Sequence, residues 1–130
     1  MKVLISDTAQ LLIDEYSLEE SIKKCVFMIE DSLPELSNTT VRFHGCTLDE
    51  NINCVANYDD DTDIIEFSIK TFLYKGLEKT RDMLFILLHE LGHRRLNLEN
   101  KNTQLDEIDE SYANQFANLA LDRFYQKYTE

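Results

Sequence analysis

His89-Glu90-Leu91-Gly92-His93 is the stretch of this chain whose residue types and spacing carry chemistry most directly. In a helix, positions i and i+4 share one face with Cβ atoms roughly 5–6 Å apart, so two imidazoles can converge on one Zn²⁺. Glu90 stands beside the first imidazole, placed to take a proton from a water activated at the metal. The chain has 3 histidines, and this motif uses two of them. The chemistry implied is hydrolysis, with Glu90 as general base and one zinc per chain as cofactor.

Two histidines leave a catalytic zinc one protein ligand short, the fourth position being kept for water. His44, the remaining histidine, lies far upstream in a short alternating run, where a hydrogen-bonded structural role is the simpler expectation. Acids near the C-terminus are better placed. Counting about 100° per residue from Glu110, Ala113, Asn114 and Ala117 share its helix face, while Tyr112 and Phe116 point away. A carboxylate that reaches about 2 Å from zinc needs two helices in close approach, and small residues beside it permit that. Glu110 is the leading third ligand on this ground. Glu107, one turn earlier on nearly the same face, is its closest rival, ahead of Asp106 and Asp109.

The elements that must position these groups follow from periodicity. Residues 77–96 read as a central helix, with Met83, Leu84, Leu87, Leu88 and Leu91 as a broad apolar face. Gly92 lowers helix propensity by about 1 kcal/mol relative to alanine, which makes sense if another backbone passes close by. Thr103 caps a final helix to Tyr128, with Asp106 and Glu107 in its first turn and Leu105, Ile108, Tyr112, Phe116, Leu119 and Phe124 as its core stripe.

Upstream, a short helix from Asp7 or Thr8 to Glu15 precedes Ser17-Leu18-Glu19-Glu20, a capping box that opens a helix carrying Ile22, Cys25, Val26 and Ile29. Pro34 ends that helix, whose role is to back a sheet. Strands are expected at Thr40–His44, Ile52–Tyr58 and Ile64–Ile69. The last, through Ile65, Glu66, Phe67 and Ser68, is a candidate edge strand for an extended substrate, or an interior strand by its apolar run. Asp59-Asp60-Asp61-Thr62-Asp63 has acids at alternate positions like a calcium loop. Ile64 stands where that loop needs glycine and Lys70 where it needs glutamate, so a solvated hairpin turn is expected. The fold class is then α+β: N-terminal helices backing a three-stranded sheet, the metal-bearing helix, and a C-terminal helix with the third ligand.

The chain of 130 residues is expected to be one domain, spanning 1–130, with 43% apolar residues for its core. Its formal charge of −12 argues against direct binding to nucleic acid or anionic lipid and favours a basic or neutral partner. Cys25, Cys46 and Cys54 are odd in number and form no CxxC pair, which points to reduced thiols and a cytoplasmic protein. Cys46 and Cys54 could meet across a hairpin and form a disulfide or join a metal site. The first six residues are too short an apolar stretch for a signal peptide or a membrane span.

His89-Glu90-x-x-His93 followed by Glu110-Ser111-Tyr112-Ala113 resembles the HExxH…ExxA arrangement of glutamate-type zincin metallopeptidases. Closer still, Phe85 through His93 (FILLHELGH) with Asn114-Gln115-Phe116-Ala117 (NQFA) resembles the ImmA/IrrE family. That resemblance covers about the last half of the chain. It implies a small zincin-like fold, zinc held by His89, His93 and Glu110, Glu90 as general base, and Asn114, with Glu107 nearby, supporting the ligands from behind. It also implies an endopeptidase that cleaves a cytosolic regulatory protein such as a repressor. Tyr112 departs from the family in standing where an acid is common. With its end at Glu130, the chain is expected to be little more than the catalytic core.

Two readings from other classes stand beside this one. A catalytically silent zincin-like protein would act by binding a regulator, although it would have no use for an intact Glu90. An acidic interaction module would need no metal and would follow from the charge alone. For the oxyanion of the hydrolytic reaction, Tyr112, His44 and Arg94 are candidates by type only.

Overall fold

The computed structural model describes residues 1–45, 55–99 and 105–128; among them the chain is an α+β protein with five α-helices, a single 3-10 turn and a four-stranded mixed sheet. The expected three-stranded sheet is therefore one strand short. The addition is β1, Lys2–Ile5, which pairs in parallel with β2, Thr40–His44, in the register Val3↔Val41 and Ile5↔Phe43. A strand of four residues offers too few alternations to stand out, and its inward residues are only half-buried. β2 also pairs in parallel with β4, Ile64–Ser68, and β4 pairs antiparallel with β3, Ala56–Asp59, giving the order β1-β2-β4-β3.

This order corrects the substrate-strand reading. Ile65, Glu66, Phe67 and Ser68 lie in an interior strand, bonded to β2 on one side and β3 on the other. Their main chain cannot receive a substrate; the near-continuous apolar run belongs to a buried strand. The sheet is sided. Val41, Phe43, Ile65 and Phe67 join one hydrophobic core, with the Phe43 and Phe67 rings 5.3 Å apart, while Arg42 and Glu66 occupy the opposite face.

Helix α1, Asp7–Glu15, is capped by Ser6, whose Oγ accepts the Ala9 N–H. The predicted capping box at Ser17 does not form. The Leu18 N–H bonds to the Ile13 carbonyl and the Ser17 N–H to the Asp14 carbonyl, the Schellman pattern, with Ser17 left-handed at φ +56°. A residue so used to close α1 cannot take the extended backbone of an N-cap. Leu18 therefore opens α2, Glu19–Ser32, with no side-chain cap. Pro34 then starts the 3-10 turn, as its lost N–H requires.

Ser68 ends β4 and caps α3, Ile69–Tyr74, so the strand stops one residue earlier than predicted. The central helix α4, Arg81–Leu98, begins four residues later than expected and buries Met83, Leu84, Leu87, Leu88 and Leu91. Helix α5, Asp106–Tyr128, runs along it. Its buried stripe is Ala113, Phe116, Ala117, Leu121 and Phe124, while Leu105, Ile108 and Leu119 are 59%, 51% and 72% exposed. Phe116 and Phe124 of the predicted stripe are thus buried as expected, but the stripe is rotated toward Ala113 and Ala117.

Gly92 explains the rotation. A Cβ there would meet the Ala113 Cα at 3.0 Å and the Phe116 Cβ at 3.2 Å, so the two backbones touch where the turns carrying His89, His93 and Glu110 face each other. Cys25 is buried in α2, and burial pushes its thiol up to about 12, as expected of an inert core cysteine. The proposed meeting of Cys46 and Cys54, and the Thr103 cap, lie outside the described residues. No described helix is long and apolar enough to cross a membrane.

Candidate metal centre

The 3.6-residue period of α4 stacks His89 and His93 on one side, with Nε2 atoms 3.2 Å apart. α5 runs back along α4 and brings Glu110 to both: Oε2 lies 2.9 Å from His89 Nε2 and Oε1 lies 2.9 Å from His93 Nε2. The three residues sequence spacing singled out are therefore in one place. Asn114, one turn beyond Glu110, has Oδ1 2.8 Å from His89 Nδ1. Oδ1 accepts, so Nδ1 carries the proton and Nε2 keeps its lone pair.

Without a cation that lone pair would face a carboxylate and a second imidazole nitrogen, which is electrostatically unfavourable. The donor set of two nitrogens and one carboxylate, with all ligand atoms within 4.8 Å of one another, suits zinc. Burial lowers the His89 pKa, against the raising pull of Glu110, which keeps its imidazole neutral and available at neutral pH.

Glu90 points to the other side of this centre, toward the sheet. Ser68 N–H donates to the Val55 carbonyl, and Asp63 N–H to the Asp59 carbonyl, so alternation turns the main chain of Ala56 and Tyr58 outward from β3. The Tyr58 N–H bonds to the Glu90 carboxylate. Between β3 and the first turn of α5 lies a cleft of about 520 Å³, lined by Ala56, Asn57 and Tyr58 on one side, Asp106 and Asp109 on the other, and Glu90, His93 and Glu110 beneath. Among the described residues β3 is the outer strand here, which places the strand edge expected of β4 one position across the sheet.

Burial, and then the charge of Glu110, push the Glu90 carboxyl up to about 7, with the Tyr58 N–H opposing. In the metal-free protein, the folded state then holds a proton that the unfolded chain has lost between its ordinary 4.5 and about 7. Stability should fall as pH rises through that window, by up to about 3 kcal/mol. Metal-free Glu90→Gln is expected to melt above wild type at about pH 8 and to lose that advantage near pH 4.5. Equal melting temperatures at the higher pH would contradict this account.

The remaining candidates are not brought to the centre. Glu107 is exposed and lines neither the cleft nor the three-residue cluster. At i−3 from Glu110 it falls on the side away from the cleft, whereas Asp106 at i−4 and Asp109 at i−1 fall toward it. His44 is hydrogen-bonded to Glu66 on the opposite sheet face. Tyr112 lines a separate groove with Leu33, Arg95 and Phe116. None of the three oxyanion candidates faces the metal ligands, because Arg94 is structural as well.

Arg94 is 5% exposed, with Nη1 2.6 Å from Asp63 Oδ1 and its Nε 3.3 Å from Thr39 Oγ1. The Tyr58 hydroxyl donates to the same Asp63 oxygen at 2.7 Å and accepts from Asn97 Nδ2 at 3.1 Å. Asp63 sits at φ +59°, a left-handed position in the β3–β4 turn that this network holds. The turn read as solvated does carry a local bond, Asp61 N–H to Asp59 Oδ1, yet its last acid bolts the hairpin to α4. Sequence reasoning missed Tyr58, Asp60 and Asp63 as parts of the site region; only the acid-rich turn was visible.

Compared with family models, with curated proteins and with solved structures, the chain finds no match in any of the three.

Proposed function

We propose that the chain is a zinc-dependent endopeptidase of the glutamate-type zincin kind, as its resemblance to the ImmA/IrrE family suggests, acting on a cytoplasmic protein. One observation carries the reading: His89 Nε2, His93 Nε2 and the Glu110 carboxylate converge within bonding reach of a single ion, with Glu90 held beside them. His89, His93 and Glu110 hold the zinc, and Asn114 fixes the tautomer of the first ligand and raises its basicity. Zinc, when bound, supplies a Lewis acid and brings the pKa of water to about 7.

Glu90, held by the Tyr58 N–H beside the three converging residues, accepts the proton of the attacking water and returns it to the leaving amine. Metal analysis and proteolysis test the proposal together. The purified protein is expected to hold about one zinc per chain and to cleave an unfolded or repressor-like protein. Chelation should stop cleavage and added zinc restore it, while Glu110→Ala should lose most of the metal. A fully zinc-loaded protein that hydrolyses no such substrate would refute the enzyme.

A further inference from the structure

On the side away from the cleft the sheet ends at β1, in the order β1-β2-β4-β3. Parallel pairing with β2 uses alternate residues: the Lys2 N–H bonds to the Thr39 carbonyl and the Ser6 N–H to the Phe43 carbonyl. Alternation then turns the N–H and C=O of Val3 and Ile5 outward, and no group among the described residues bonds to them there. The other edge differs, since on β3 the outward Tyr58 N–H is taken by the Glu90 carboxylate. Unpaired main chain on a sheet edge is a template for another strand, and β1 has neither a proline nor a bulge to blunt it.

Beside this edge a groove of about 250 Å³ runs between β1 and α2, with Val3, Ile5, Ile22, Val26 and Phe27 as its apolar lining. Phe27 is 61% exposed. The charges on the rim are balanced: Glu19 lies 3.7 Å from Lys23, and Glu30 lies 2.6 Å from the N-terminal ammonium. In a chain of net charge −12, this rim is therefore a place where another acidic molecule meets no like charge in excess.

The edge is its own complement. When two β1 strands run antiparallel with Leu4 facing Leu4, Val3 of each lies opposite Ile5 of the other. Such a pair exchanges both its N–H···O bonds, so every outward donor and acceptor of Val3 and Ile5 is satisfied. Leu4, 38% exposed and in register with Arg42 on the opposite sheet face, meets its copy on the two-fold axis. Val3 and Ile5 of the second copy, which face the core side of their own sheet, then cover the groove.

We propose that a second copy of this chain pairs at β1, joining the two four-stranded sheets into one across a two-fold axis. Since β1 and β3 are opposite edges, both clefts stay open in the pair. The pairing needs no metal and does not depend on the peptidase reading.

Sedimentation velocity over a concentration series, with hydrogen exchange at its two ends, tests the pairing. A Kd of about 10 μM is expected, the weak end for a small interface, so that monomer at about 1 μM gives way to dimer at about 100 μM. The Val3 and Ile5 amides should then exchange about fivefold more slowly at the upper concentration. Leu4→Lys sets two ammonium groups face to face on the axis and should raise Kd more than about tenfold, although it makes each copy less negative. Val3→Pro removes an outward N–H that β2 does not use and should act alike. Leu11→Lys, on α1 and 70% exposed, should change nothing. Circular dichroism checks that each variant is folded, and where Val3→Pro is not, Leu4→Lys decides alone. A monomer at about 100 μM, or a dimer indifferent to Leu4→Lys, would overturn the proposal. Protection of Val3 and Ile5 that appears only when a valine-rich extended peptide is added to a monomer would overturn it too, and would give the edge to a peptide.

Discussion

Glu90→Gln should retain about one zinc per chain and lower peptide hydrolysis by about 10²–10⁴-fold, the range a positioned general base contributes. Glutamine keeps the shape of the side chain and can still accept the Tyr58 N–H through its amide oxygen, so the cleft should be undisturbed. The metal should stay as well, since His89, His93 and Glu110 are the converging ligand set and Glu90 is outside it. What the amide cannot do at neutral pH is take a proton from water. The measurement pairs zinc content with kcat, KM being little changed if only the proton transfer is lost. Loss of zinc together with activity would make Glu90 a ligand rather than a base. Full activity with full zinc would leave the hydrolysis without its proton acceptor.

Asp63→Asn should destabilise the fold by about 2 kcal/mol, although it adds no bulk and keeps an oxygen for the Tyr58 hydroxyl. Asparagine also tolerates the left-handed backbone at this position, so strain is not the cause. The cause is Arg94, whose guanidinium is buried and would be left with no opposing charge. Removing one partner of a fully buried pair costs about 3–5 kcal/mol, and the figure is reduced here because the Asp63 side chain is 44% exposed. Arg94→Met should cost less, since Asp63 can rehydrate once its partner is gone. The double variant should recover part of the Asp63→Asn loss. Urea melts of the four proteins give the coupling energy. Strict additivity would show that the pair does not hold the hairpin to α4.

The contrast between these two predictions follows the line between what was readable and what was not. The placement of His89, Glu90 and His93 was readable because they sit in one helix, where the separation of i and i+4 depends only on helical geometry. Glu110 was readable for a related reason: Ala113 and Ala117 beside it marked the face that approaches another backbone. The apolar stripe of α5 was read only in part: Phe116 and Phe124 are buried, whereas Leu105, Ile108 and Leu119 have helical spacing yet lie outward. Periodicity locates a face but not its neighbour, and here the tight contact between Gly92 and Ala113 turned the Ala113 and Ala117 side inward. The choice between Glu107 and its neighbours depended on the same rotation.

The amino-acid sequence alone determined the α+β class, the helix that carries His89, Glu90 and His93, and the residue that meets them from α5. These rest on local periodicity and on side-chain size, both of which act within a few turns of chain. Tertiary structure decided that β1 completes the sheet, that β3 rather than β4 is its outer strand, and that Tyr58 and Asp63 reach α4. Strand order and hairpin placement arise from pairing and burial summed over residues distant in sequence, so no short window contains them.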